Sequence, residues 1–238
     1  MNYTRIYSKE KFIEDKLIYL KKDSSKHLTH VLRKKKGSII ELFDGMGSSC
    51  IAEIASIKKN QIAVRVLEKN KFSKRQGVKV FLGQSLIKSE PFSLSIQKAT
   101  ELGVESISPI YTERTVVKVK KDSKNRRWES IAINACQQCG EDWIPQINQI
   151  ASLDQWIRNV KTKQRIVLYP NAEKKFSTLK LQKEVTMAIG PEGDFTNREI
   201  DLMSEYNFLP VSLGKRILRA DTAVISSLSA IRTMSGEF

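Results

Sequence analysis

Apolar and polar positions follow one rhythm in the first third of this chain and another in the rest. Short runs of strand character occupy Ile39 to Phe43, Ser49 to Ile54 and Gln61 to Leu67, separated by turn-forming or polar residues. They predict a small antiparallel barrel or sheet, preceded by a short helix over Ser24 to Leu32. From Val78 onward the pattern alternates. Strands are predicted at Val78 to Ser85, Ser106 to Ile110, Arg165 to Tyr169, Val185 to Ile189 and Pro210 to Leu213. Helices are predicted at Pro91 to Leu102, Ser123 to Cys139, Leu153 to Val160, Thr196 to Tyr206 and Asp221 to Met234. Alternation of this kind implies an α/β fold, a mainly parallel sheet covered by helices on both faces. The stretch Asn70 to Gly77 has linker composition, which divides the chain into residues 1–72 and 73–238.

The chemistry concentrates between Ile189 and Ala223, where two glycine-bearing turns enclose a helix. An apolar strand stops at Gly190-Pro191-Glu192-Gly193, and Thr196 then serves as N-cap with Glu199 as its capping-box partner. The second unit breaks at Gly214, runs through Lys215 to Arg219 and turns helical again. Both turns lie past the carboxyl ends of strands, where open α/β sheets place ligands. Gly190 and Gly193 are expected to supply positive φ or close backbone approach, with Pro191 stiffening the bend. Exposed N–H and C=O groups there can grip a flat heterocycle or the ends of a small ligand. Arg219 and Asp221 flank the last turn, and the helix after it carries Ala223, Ser226, Ser227, Ser229 and Ala230. Small residues permit close packing within one subunit or against a second.

Charge adds a partner to this picture. The net formal charge is +15, and residues 1–78 hold 18 basic and 8 acidic side chains, a net +10. An excess so placed favours contact with nucleic acid through the N-terminal part; a solvated, solubilising surface is the bland alternative. Arg33, Lys34, Lys35 and Lys36 form its densest cluster, suited to phosphates and to fixing register without reading sequence. Three cysteines and a polar start suggest a reduced, cytoplasmic setting, and no apolar run approaches the roughly 18 residues of a membrane span.

Other motifs are excluded on local grounds. Asp44-Gly45-Met46-Gly47 sits between two strand patterns and reads as a hairpin turn, because a dinucleotide fingerprint must open a helix. No phosphate-loop sequence is present. Cys136 and Cys139 lie on a predicted helix with no second ligand pair nearby, so buried thiols are expected and no metal. His27 and His30 flank an apolar face, beside the basic cluster.

IGPEG (Ile189 to Gly193) and LGKRILRADTA (Leu213 to Ala223) resemble signatures of the RsmE-type ribosomal RNA methyltransferases of the SPOUT superfamily, which methylate N3 of a uridine in small-subunit rRNA. KATELGV (Lys98 to Val104), QQCGE (Gln137 to Glu141), HLTHVLR (His27 to Arg33) and ELFDG (Glu41 to Gly45) are similar in order and spacing. The resemblance implies a PUA-like RNA-binding barrel followed by a domain with a C-terminal trefoil knot, a homodimer, and S-adenosylmethionine as cofactor. Carried onto this chain, the cofactor contacts are Leu168, Tyr169, Gly190, Pro191, Glu192, Gly193, Leu213, Gly214, Ile217, Leu218 and Arg219. The RNA contacts are Arg5, His27, Arg33, Lys34, Lys35 and Lys36, the partner being ribosomal RNA or the small ribosomal subunit.

Four positions depart from the family pattern: Asp194 for glycine, Asp221 for glutamate, Gln137 for glutamate and Glu141 for arginine. Arg219 is the expected catalytic cation, holding the uracil carbonyls as N3 loses its proton. Asp221 is expected to orient Arg219, since a carboxylate beside a guanidinium is a weak base; accepting the proton is its alternative role. Two other readings stay open: a non-catalytic RNA-binding or ribosome-assembly factor, and a knotted methyltransferase acting on another RNA.

Overall fold

The computed structural model describes residues 3–58, 61–118 and 121–238, with the side chains of 121–125 excepted. These residues divide into two compact units. The first comprises Met1–Arg75 and Cys136–Ile144, and the second comprises Gln76–Ala135 and Pro145–Phe238. A single division between residues 72 and 73 therefore falls three residues short of the observed one after Arg75 and leaves out a second excursion, in which 136–144 rejoin the N-terminal unit.

Among the described residues, the first unit is a five-stranded sheet. It contains β1 (Thr4–Tyr7), β2 (Leu17–Tyr19), β3 (Ile39–Phe43), β4 (Ser49–Lys58) and β5 (Gln61–Lys69), in the order β1-β3-β4-β5-β2. Alternation along the strands puts Ile40 and Leu42 opposite Ala52 and Cys50, all fully buried. Ile54, Ile62, Val64 and Val66 extend this core. The three strands expected from the sequence pair antiparallel, β3 with β4 and β4 with β5, whereas β1, which was not expected, runs parallel to β3. The hairpin at Asp44 is as predicted: its Oδ1 accepts the N–H groups of Met46 (2.7 Å) and Ser48 (3.0 Å), with Gly45 and Gly47 at positive φ. The predicted helix over 24–32 is α1 (Lys22–Lys26) followed by one π-helical turn, His27–Val31, anchored by buried Leu28.

The returning segment is held by buried charge. Arg5 ion-pairs with both Glu41 and Asp142 and stacks on Phe43. Gln137 Oε1 accepts the Tyr7 N–H at 3.1 Å, and Trp143 Nε1 donates to the Ser73 carbonyl at 2.9 Å. Glu141 has a local role, accepting the Trp143 N–H at 3.0 Å.

The second unit is a parallel sheet built from β6 (Lys79–Ser85), β7 (Ser106–Tyr111), β8 (Gln146–Ile147), β9 (Ala151–Ser152), β10 (Gln164–Leu168), β11 (Glu184–Ile189) and β12 (Phe208–Val211). Its order is β12-β10-β11-β6-β7-β8, with β9 also pairing β7. Val185 to Ile189 are all buried, the continuous apolar run that a central parallel strand requires. Connecting helices are α2 (Ser89–Glu101), α3 (Lys121–Cys139), α4 (Leu153–Arg158), α5 (Asn197–Glu205) and α6 (Ala220–Met234). From α4 and α5, Leu153, Ile157, Ile200 and Met203 pack with Val167, Ala188 and Phe208. The short strands β8 and β9 escaped prediction, since two residues carry no period. Strand β12 starts two residues before the predicted Pro210.

Candidate active site

Because β10, β11 and β12 are neighbours and parallel, their carboxyl ends lie on one edge of the sheet. The chain leaving β10 is stitched to the chain leaving β12. The Tyr169 N–H donates to the Val211 carbonyl (2.9 Å), Ser212 N–H to Lys174 O (2.9 Å) and Phe176 N–H to Ser212 O (2.9 Å). Together with the turn after β11, these connections enclose a cavity of about 510 Å³, within the ~300–1,000 Å³ usual for small-molecule sites.

Leu168, Tyr169, Gly190, Pro191, Glu192, Leu213, Gly214, Ile217, Leu218 and Arg219 all line this cavity, as does Asp221. Gly193 does not. Its carbonyl instead accepts Arg114 Nη1 at 2.7 Å, and a Cβ on it would stand 3.3 Å from the Arg114 side chain. Ile87, Lys88, Pro91 and Pro170 are walls that sequence reasoning missed. The signal was available for the first three, since they follow β6, whose carboxyl end shares the same edge.

The turn itself corrects one expectation. Neither Gly190 nor Gly193 has positive φ; Asp194 does, at 59°. Gly190 serves by close approach, for a Cβ there would lie 3.0 Å from Asp194 Oδ1 and 3.2 Å from the Phe195 nitrogen. The Asp194 N–H closes the turn onto Pro191 O (2.9 Å), and its Oδ1 accepts the Phe195 N–H (2.8 Å). Burial raises the Asp194 pKa, while the Phe195 N–H and the nearby Arg114 charge act against that rise and Glu199 adds to it. Downstream, the predicted capping box is present. Thr196 Oγ1 accepts Glu199 N–H, and buried Glu199 returns a bond to Thr196 N–H at 2.9 Å while accepting Glu113 N–H at 2.8 Å. Glu113 in turn accepts from Thr196 Oγ1 at 3.0 Å and pairs with Arg198. The loop after β7 is thereby latched to the glycine turn.

Arg219 is the exposed N-cap residue of α6, and its guanidinium has no hydrogen bond or ion pair among the described residues. Asp221 is not its orienting partner in this structure. Its Oδ1 accepts the Thr222 N–H at 2.9 Å, the ordinary use of an acidic residue in a first helical turn.

In the first unit, His27, Arg33, Lys35 and Lys36 are exposed and Lys34 half-exposed. They share one continuous segment with Val31, 66% exposed, and Leu32. Arg5 is a correction: its side chain is only 9% exposed and committed to Glu41 and Asp142, so it builds the fold and offers no cation to a ligand. The buried-thiol expectation holds for Cys136 alone. Cys136 donates to Trp143 O (3.4 Å), and burial first, then neighbouring Cys139 and Glu141, push its pKa up to about 12; Cys139 is exposed.

A parallel-sheet domain with a strand-edge cavity, joined to a basic unit with cations on an exposed segment, has the parts of an enzyme acting on nucleic acid. Residues 74–232 match the RNA methyltransferase domain family, and residues 20–67 match the RNA methyltransferase PUA domain. The chain belongs to the RNA methyltransferase family, within its ribosomal RNA small subunit methyltransferase E group. It is 32% identical to the protein of that name from Buchnera aphidicola, over 98% of this chain and 94% of the relative. Among solved structures, it is similar to a Legionella pneumophila protein described as a methyltransferase with bound SAM. That similarity has a TM-score of 0.94 at 35% identity and covers 98% of each chain. The Neisseria gonorrhoeae ribosomal RNA small subunit methyltransferase E bound to S-adenosylmethionine gives a TM-score of 0.92 at 27% identity, also over 98% of each chain.

Proposed function

We propose that this protein transfers a methyl group from S-adenosylmethionine to N3 of a uridine in small-subunit ribosomal RNA. The observation that carries the reading is the cavity, because ten of the eleven residues expected to hold the cofactor line it. The Legionella and Neisseria relatives, similar over nearly all of this chain, were solved with that cofactor. The residues suit it chemically. Buried Leu168, Ile189 and Val211 offer apolar surface to a flat ring, and the backbone of the glycine turn and of Leu213 to Leu218 offers donors and acceptors. The stitched connections after β10 and β12 are consistent with the implied trefoil knot.

The cofactor supplies an activated methyl on a sulfonium, so the protein's task is alignment and charge control. N3 lies on the pairing edge of uracil, and the base must be unpaired or splayed out to reach the site. Unpartnered Arg219, at the cavity rim, is placed to hold the uracil carbonyls while N3 loses its proton, stabilising the imidate that develops. Exposed His27, Arg33, Lys35 and Lys36, with half-exposed Lys34, contact phosphates of the same RNA. A homodimer completes the site: Ile217 stands 86% exposed at the cavity rim, and Ser226, Ser229 and Ala230 are partly exposed along α6. With ribosomal RNA as substrate, the cytoplasm is the working compartment. Calorimetric titration with S-adenosylmethionine tests the cofactor half directly. Saturable heat is expected, and its absence contradicts the reading.

A further inference from the structure

Six charged side chains border the cavity: Lys88, Glu192, Asp194, Arg216, Arg219 and Asp221. Glu192 is exposed and accepts the Lys88 N–H, and Asp221 accepts the N–H of its own helix. Asp194 is held differently. Its backbone occupies the left-handed region at φ 59°, which an aspartate reaches because its short side chain hydrogen-bonds the neighbouring backbone. Its Oδ1 is fixed by the Phe195 N–H and lies against Gly190, while Oδ2 has no hydrogen-bond partner among the described residues. Burial disfavours its ionised form in spite of nearby Arg114, so the anion is short of compensating positive charge. A cation brought into the cavity beside it relieves that deficit.

We propose that Asp194 makes the site selective for the positively charged sulfonium cofactor over the neutral thioether product. This rests on the cofactor reading above. In the transfer, N3 gives up its imide proton to solvent water, and the electron pair left on N3 forms the new N–CH₃ bond. The S–CH₃ bond breaks with its pair going to sulfur, so the cofactor changes from a sulfonium cation to an uncharged thioether. Both molecules keep the same adenosine and the same amino-acid group. A carboxylate near the sulfur therefore binds the first and lets go of the second, whereas one that contacts the shared ammonium strengthens both alike.

Calorimetry on the full-length protein and on Asp194→Asn, which tolerates the left-handed backbone, provides the test. The probes are S-adenosylmethionine, S-adenosylhomocysteine, and an analogue with a protonated amine in place of the sulfonium. Asp194→Asn is expected to weaken binding of both cations by about 5- to 20-fold and to change the thioether by less than about two-fold. Asp194→Gly, free of backbone strain, is expected to lose the same selectivity. An equal loss for all three probes, or no loss for any, overturns the proposal. If the unaltered protein binds no S-adenosylmethionine, the cofactor reading itself fails, a result separate from any change in ratio.

Discussion

Arg114 and Gly193, 79 positions apart in sequence, meet through a 2.7 Å hydrogen bond from the guanidinium Nη1 to the glycine carbonyl. The bond carries the end of one connection onto the turn that walls the cavity, with Arg114 packed where a Cβ on Gly193 would go. Arg114→Ala is expected to weaken cofactor binding by about 2- to 5-fold, the worth of one exposed charge-assisted bond. Thermal stability should stay nearly unchanged. Arg114→Lys should recover part of the loss in calorimetry, and an alanine variant with unaltered affinity would refute the latch.

Arg219 has no partner to lose within the described residues, so its removal should spare folding and, with the nine other expected cofactor contacts still lining the cavity, weaken cofactor binding only modestly. Arg219→Ala is expected to lower kcat by about 100-fold or more. Asp221→Asn should cost no more than a few-fold, because Asp221 bonds the Thr222 N–H in the first turn of its own helix and makes no ion pair with Arg219. Single-turnover methylation with calorimetry in parallel separates these outcomes. A large defect in Asp221→Asn would restore the orienting role.

Arg5 behaves as part of a fold. Arg5→Ala leaves Glu41 and Asp142 facing each other without their common cation, and should lower stability by about 2 to 4 kcal/mol. RNA affinity per folded molecule should be preserved. Urea denaturation and filter binding at several salt concentrations test this; loss of RNA affinity with stability intact would contradict it.

The exposed cations predict the converse. Replacing Arg33, Lys35 and Lys36 with alanine should leave denaturation unchanged. The slope of log affinity against log salt for single-stranded rRNA should fall by about 2, near 0.7 for each phosphate no longer neutralised. An unchanged slope would remove this segment from the interface.

Glu237 gives a pH signature. Burial opposes its ionisation, but bonds from Ser235, Arg232 and the Val78 N–H, with the charge of buried Arg232, more than offset that and lower its pKa. The stabilisation is present above the ordinary carboxylate range and is lost as pH falls through the lowered folded pKa. Glu237→Gln is therefore expected to destabilise by about 0.5 kcal/mol at neutral pH, since solvent screens bonds at an exposed residue, and progressively less in acid. A pH-independent difference would argue against it.

What could be read from sequence was what neighbours in sequence determine. Thr196 and Glu199 are three residues apart, so their capping box was legible, as was the Asp44 hairpin. The cavity was legible because parallel strands place their carboxyl ends together, and the signature residues follow three of those ends. Positive φ or close approach was assigned to the glycines; Gly190 serves by close approach, and the positive φ falls on Asp194, because an aspartate can hydrogen-bond the next N–H and occupy that region. Arg5 looked like a free basic residue because its partner Asp142 lies 137 positions away. Arg114 was missed for the same reason. Neither contact leaves a local pattern, and both arise only when distant segments are brought together by folding.

The most direct test of the account is transfer of a labelled methyl group from S-adenosylmethionine to small ribosomal subunits, naked rRNA and tRNA in parallel, followed by nucleoside analysis. The account predicts label in 3-methyluridine from small-subunit rRNA and its loss in Arg219→Ala. Label in a ribose 2′-O-methyl group or in tRNA alone, or no transfer by a protein that binds the cofactor, would contradict it.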